Sequence, residues 1–190
     1  MTIIIDGTGT ITGATTLAST VASPTFTTPA LGTPASGALT NCTGYAAANL
    51  PAGSVIQVVQ SVHGTVTSTT SATYADTGLT VNITPSSISN KILVRVSINW
   101  ASDSYVAAAT WAAFNIVRTS TQVAETAVGN YYDTVNANSI LEHLDSPSTT
   151  SSTTYKVQIK RATGSGTMYY NYKGYSALTT SSITVMEIRG

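Results

Sequence analysis

The chain has 190 residues and is nearly without charge: 8% of its side chains are charged, with Lys plus Arg and Asp plus Glu balanced at 8 each. An ordinary soluble domain carries roughly 25%, so this surface must be wetted by hydroxyls, and Ser and Thr make up close to a third of the chain. That balance excludes a basic stripe for nucleic acid, a polybasic patch for membranes, and any field that would steer a charged ligand.

The chain opens with MTIIIDGTG, in which Ile3, Ile4 and Ile5 form a β-branched run closed by Asp6-Gly7, the pattern of a short strand and turn. This start has neither a positive n-region nor a long apolar h-region, so no secretory signal is expected. No run of 18 apolar residues occurs that would span a bilayer. The expectation is synthesis in a cytoplasm.

From Gly7 to Ala75 there is no Asp, Glu, Lys or Arg. Within that segment, SPTFTTPALGTPASG places Pro24, Pro29 and Pro34 five residues apart, with large apolar side chains, Phe26 and Leu31, two residues after the first two. A period of five fits neither collagen nor polyproline recognition, both of which repeat in threes, and proline excludes an interior helix. An extended chain sets Phe26 and Leu31 roughly 17 Å apart, far enough to fill separate pockets. Burying both contributes on the order of 3 to 6 kcal/mol, whereas ordering fifteen backbone residues costs about 15 to 30. Such a strap orders only against a partner surface, and a plain flexible linker is the competing reading. Cys42 stands alone, so no intrachain disulfide and no zinc site is expected.

Pro51 and Gly53 mark a boundary, giving an arm over 1–53 and a compact domain over 54–190. VIQVVQSV, near residue 55, begins a series of strands. TGLTVNIT sets Leu79, Val81 and Ile83 on one face, and KILVRVSINW sets Ile92, Val94, Val96, Ile98 and Trp100 opposite Arg95, Ser97 and Asn99. In YVAAATWAAFNIV the β-branched and aromatic residues favour a loop entering a strand over a helix. Weaker strands are expected around 122 and 140. TTYKVQIKR alternates Tyr155, Val157 and Ile159 with Lys156, Gln158 and Lys160; GTMYYNYKG reads as a strand; and SSITVMEIRG, apolar on both sides, reads as a buried central one. Eight or nine short strands joined by Ser, Thr, Gly and Asn turns predict an antiparallel β-sandwich of jelly-roll type.

The arm ASPTFTTPALGTPASGALTNCTG resembles the Pro/Thr/Gly-rich segments of bacteriophage tail-fibre and other virion fibre proteins. SATYADTGLTVNITPSSISNKILVRVSIN, LDSPSTTSSTTYKVQIK and SSITVMEIRG are similar to the C-terminal knobs of that family, which look like the trimeric jelly rolls of tumour-necrosis-factor-like proteins. The resemblance implies a homotrimeric virion protein, fastened to other virion proteins by its N-terminal part and facing outward with its β-knob. Ile3, Ile4, Ile5, Phe26 and Leu31 are then the anchoring candidates. Since the chain has neither a long shaft nor coiled-coil heptads, a head fibre or capsid decoration protein stands as the alternative.

Chemistry is sparse. His143 lies in EHLDS beside two acids, but one strand cannot supply a triad, which is defined by spatial roles. Asp103, Asp133, Asp145, Glu125 and Glu142 are the acids a glycan depolymerase would pair, at ~5–10 Å; a cleft for them is not expected on so short a chain. No catalytic residue, metal or cofactor is predicted. The binding candidates are Tyr105 with Asp103, and Tyr131 and Tyr132 with Asp133 and Asn136, in two irregular segments between strands. Tyrosine offers a flat face and a hydroxyl to a host-surface glycan or protein, and loops on a rigid scaffold are where recognition usually sits.

Overall fold

The computed structural model describes residues 47–102, 110–130, 135–172 and 179–190. The anchoring candidates Ile3, Ile4, Ile5, Phe26 and Leu31 lie outside these residues, as do Asp103, Tyr105, Tyr131, Tyr132 and Asp133. After a single 3-10 turn at Ala47–Asn49 come β1 (Val55–His63), β2 (Thr67–Thr69), β3 (Ala75–Ile83), β4 (Lys91–Ser102) and β5 (Thr110–Arg118). They are followed by β6 (Thr121–Asn130), β7 (Val135–Asp145), β8 (Thr153–Thr163), β9 (Met168–Tyr170) and β10 (Ser181–Ile188).

All pairings are antiparallel. In sheet A, β1 pairs with β10, β10 with β4, and β4 with β7, while the short β9 joins the end of β4 to β2. Sheet B runs β3-β8-β5-β6. Reduced to its eight long strands, the order 1-10-4-7 facing 3-8-5-6 is that of two Greek keys folded as one, a jelly-roll β-sandwich.

The alternation seen in the sequence makes the core. Leu79, Val81 and Ile83 from β3, Ile92, Val94, Val96, Ile98 and Trp100 from β4, and Tyr155, Val157 and Ile159 from β8 all point inward and are buried. Phe114 and Ile116 of β5 meet them from the centre of sheet B. Removing a phenyl ring such as that of Phe114 costs about 3 to 5 kcal/mol in transfer and cavity terms.

Two expectations are corrected. SSITVMEIRG does form a central strand, but only Ile183, Val185, Ser181 and Glu187 are buried, while Met186 and Ile188 face outward and are half-buried. Its second apolar face therefore belongs to the surface. GTMYYNYKG gives a strand of only three residues, because Asn171 adopts a left-handed φ of 56° and turns the chain out of the sheet. The Asn171 side chain offsets this turn by donating to the His63 carbonyl at 2.8 Å and accepting from Ser181 Oγ at 2.7 Å.

Polar residues close the base of the sandwich, the end defined by Val55, Lys91, Arg118, Asp145 and Ile188. Asp145, buried at the end of β7, receives Arg118 Nη1 at 2.7 and 2.8 Å and the Tyr155 hydroxyl at 2.6 Å, tying sheet A to sheet B. Burial, then the neighbouring Asp145 carboxylate, holds the Tyr155 phenol far above its usual range. Glu187 is fully buried on β10, and among the described residues it forms no ion pair. Four donors hold its carboxylate instead: Ser86 N at 2.6 Å, Ser86 Oγ at 2.8 Å, Asn90 Nδ2 at 2.6 Å and Gln57 Nε2 at 2.5 Å. Burial pushes the Glu187 pKa up, and these hydrogen bonds outweigh it, leaving the group below the usual carboxylate range.

Candidate functional surfaces

The sandwich has two distinct ends. At the base, the chain comes into β1 beside the strand that closes the domain: Gly53 N–H donates to the Arg189 carbonyl at 2.8 Å, and Arg189 N–H to that of Ser54 at 2.9 Å. At the far end, Ser102 pairs with Val135 and Thr110 with Asn130. These four residues flank the stretches 103–109 and 131–134, which carry the predicted binding residues. Asn136 is the one candidate whose backbone is described; it lies in β7, paired with Ala101. It is thus a strand residue rather than part of an irregular segment.

The outer face of sheet A is apolar in a pattern no single strand reveals. The register places Val58, Met186, Leu93 and Leu144 side by side across β1, β10, β4 and β7. Two residues further along lies the row Gln60, Thr184, Arg95, Glu142, and beyond that Val62, Ser182, Ser97, Ile140. Val58 is 56% exposed, Val62 58%, Ile140 54% and Leu144 49%, so much of this apolar area meets solvent. The two charges within it, Arg95 and Glu142, satisfy each other at 3.1 Å. Between the rows is a shallow depression of about 400 Å³ lined by Gln60, Arg95, Ser97, Ile140, Ser182, Thr184 and Met186.

The outer face of sheet B is a ladder of hydrogen bonds. A bulge in β3, where Gly78 takes a φ of +87°, breaks the register with β8 between Asp76 and Thr80. The strain admits only glycine readily there, since a Cβ would also press on the His63 ring at 2.8 Å. Asp76, just before the bulge, accepts from Lys156 Nζ at 2.9 Å and Gln158 Nε2 at 2.7 Å. The Lys156 and Gln158 bonds hold the Asp76 carboxyl below its ordinary pKa. Asn115 on β5 donates through Nδ2 to Gln122 Oε1 at 3.0 Å and to Gln158 Oε1 at 3.4 Å. Gln122 Nε2 in turn donates to Glu125 at 2.8 Å, and Lys160 sits 3.5 Å from Glu125 and 4.3 Å above the centre of the Tyr74 ring. The Tyr74 hydroxyl lies by the Glu125 carboxylate, yet makes no hydrogen bond of ordinary geometry; burial foremost holds it above the usual phenol range.

Sequence reasoning missed Tyr74, Asn115 and Gln122, and read Gln158 only as part of a polar face. A signal existed for Asn115, the one polar residue in the run WAAFNIV. Among the described residues no group of three or more His, Cys, Asp and Glu side chains could hold a metal ion.

No family model matches the chain, and no curated protein sequence matches it. Among solved structures it is similar to dimeric latent PorU from Porphyromonas gingivalis, at 6% identity and a TM-score of 0.41, over 73% of this chain and 14% of that one. It is also similar to the VP2 subviral particle of infectious bursal disease virus, at 12% identity and a TM-score of 0.36, over 70% of this chain and 38% of that one. The T=1 particles derived from the same virus give 15% identity and a TM-score of 0.37, over 70% of this chain and 36% of that one. The chain thus spans well under half the length of each. At such identities and scores no function carries over from them; what stands by itself is the β-sandwich.

Proposed function

We propose that this chain is a structural protein of a phage virion: a short homotrimeric fibre, fastened to the particle through residues 1–53, whose β-knob is displayed to bind a host-surface glycan or protein. Its work is binding rather than catalysis. The observation that carries this reading is the polarity of the domain. The chain comes in at the base, and the stretches with the candidate receptor residues leave the strands at the opposite end, separated by the twelve residues of β4, or roughly 40 Å. A domain entered at one end and carrying its candidate contact residues at the other suits a particle appendage.

The outer face of sheet A supports the homotrimeric part. The ion pair in its middle, Arg95 with Glu142, is satisfied within the face, and its apolar rows suit burial against apolar surface that neighbouring copies bring together about a threefold axis. Burying the exposed halves of Val58, Val62, Ile140 and Leu144 contributes on the order of 4 kcal/mol per face, at about 1 kcal/mol for half of each side chain.

Intact particles labelled with gold-tagged antibody against residues 54–190 provide the test. Gold at the tail is the expected result. Gold over the head replaces the fibre reading with that of a capsid decoration or head-fibre protein, and unlabelled particles remove the virion reading altogether.

A further inference from the structure

We propose that the depression on the outer face of sheet B binds an uncharged sugar, read by the side-chain amides of Asn115, Gln122 and Gln158. The depression has a volume of about 330 Å³ and is lined by those three residues with Tyr74, Lys156 and Ser120, among others. That is at the small end of ligand sites, which run from roughly 300 to 1,000 Å³.

The direction of the amide ladder is set from its ends. Carboxylates accept only, so Asp76 and Glu125 compel Gln158 and Gln122 to turn their NH₂ groups outward along the ladder and their carbonyls toward Asn115. Both carbonyls then require a donor, and Asn115 supplies it with Nδ2, which fixes the orientation of its own amide. The consequence is an orphan. Asn115 is 2% exposed, and its Oδ1 accepts no hydrogen bond from any described group. A buried amide oxygen without a donor is costly and rare; Asn115 lines the depression beneath the Gln122 and Gln158 side chains, so a ligand hydroxyl that displaces either chain gains an acceptor there.

The chemical class follows from what the lining lacks. Lys156 is matched to Asp76 and Lys160 to Glu125, so no free charge remains to select an anion or a cation. What remains is the unpaired acceptor Asn115 Oδ1 at the middle of the ladder and, toward its two ends, the Gln158 and Gln122 NH₂ groups, each with a second N–H beyond the one given to a carboxylate. Alternating donors and acceptors complement adjacent hydroxyls, each of which both donates and accepts. At the rim, the β5–β6 turn holds Thr119 at a φ of 54°, a left-handed conformation that disfavours a β-branched residue. Thr119 and Ser120 set two further hydroxyls there.

For its biological meaning the inference rests on the host-binding part of the proposed function, but it moves the contact from the far end to the flank of the domain. The test uses the full chain with ¹⁵N-labelled side-chain amides, titrated separately with glucose, galactose, mannose, rhamnose and N-acetylglucosamine. At least one sugar is expected to shift the Asn115, Gln122 and Gln158 amide resonances saturably. Gln122→Ala, at an exposed position that leaves the core untouched, is expected to weaken that binding about tenfold, and Ser120→Ala to weaken it less. The inference is overturned if no sugar moves these resonances, if the shifts fall only at the far end, or if Gln122→Ala binds as the parent does. Particle labelling separates the two readings: saturable sugar binding with unlabelled particles removes the virion reading alone, whereas labelled particles with no sugar response remove this one alone.

Discussion

The two outer faces of the sandwich are made by the same pleat, with every second residue turned away from a shared core, yet they solve solvent exposure in opposite ways. Sheet B turns out Asp76, Lys156, Gln158, Asn115, Gln122 and Glu125 and binds them to one another in a continuous ladder. Sheet A turns out Val58, Met186, Leu144, Val62 and Ile140, leaving a single ion pair in their midst. Isolated exposed apolar residues are ordinary, but a row spanning four strands is a surface built to be covered. The comparison teaches that one pleat can leave two chemically different surfaces, and the proposals above assign them different occupants: a second protein surface for sheet A, something small and hydroxylated for sheet B.

The sharpest way to break this contrast is to charge both faces equally. Leu144→Asp with Met186→Asp should reduce the proposed homotrimer to single chains by light scattering, since two apolar contacts worth about 1.5 to 3 kcal/mol each at full burial are replaced by like charges at every interface. Thr80→Asp with Asn82→Asp, on sheet B, should leave the assembled mass unchanged. Equal behaviour of the two pairs would remove the distinction.

A somewhat smaller effect probes where each sheet keeps its charge. Sheet A hides Glu187 inside among neutral donors, whereas sheet B pairs its charges outside. Glu187→Gln turns an NH₂ group against donors and should cost about 2 to 3 kcal/mol, seen as a fall in Tm of roughly 4 to 12 °C for a domain this size. Acid should act through the same group. Its folded pKa lies below the unfolded value near 4.5, so the stability it contributes is complete above that value and is lost as pH falls through the folded pKa. Melting temperature followed from pH 6 downward should drop more steeply below about 4.5 in the parent than in Glu187→Gln. The smallest effect belongs to sheet B, where Lys156→Met removes a partly exposed ion pair and should change stability by less than about 1 kcal/mol by urea unfolding.

The strands of the core were legible because alternation is a local signal. KILVRVSINW and TTYKVQIKR each state which residues turn inward, and the structure buries those residues. What a single strand cannot state is its neighbour. Met186 was visible as an apolar residue on the second face of SSITVMEIRG, and a central strand with two apolar faces reads as one buried on both sides. Only the register, which sets Met186 between Val58 and Leu93, reveals that this face opens outward. Asn115 failed to register as a site for a related reason. Its partners come from β6 and β8, seven and forty-three residues along the chain, and an orphaned oxygen is defined by the positions of all of them. The sugar titration tests the contrast between flank and far end directly, by which amide resonances move.

The hydrogen bonds between Gly53 and Arg189 and between Arg189 and Ser54 carry a practical consequence. Because the two ends of the folded domain meet at the base, a tag or enzyme fused after Gly190 would emerge next to Gly53 and Ser54, where the chain comes into β1. Cargo meant to face outward belongs instead in the turn at Gly164, between β8 and β9, where a positive φ of 84° and exposed neighbours mark a loop tip suited to insertion. The domain would then serve as a scaffold that is loaded from the top and mounted from below.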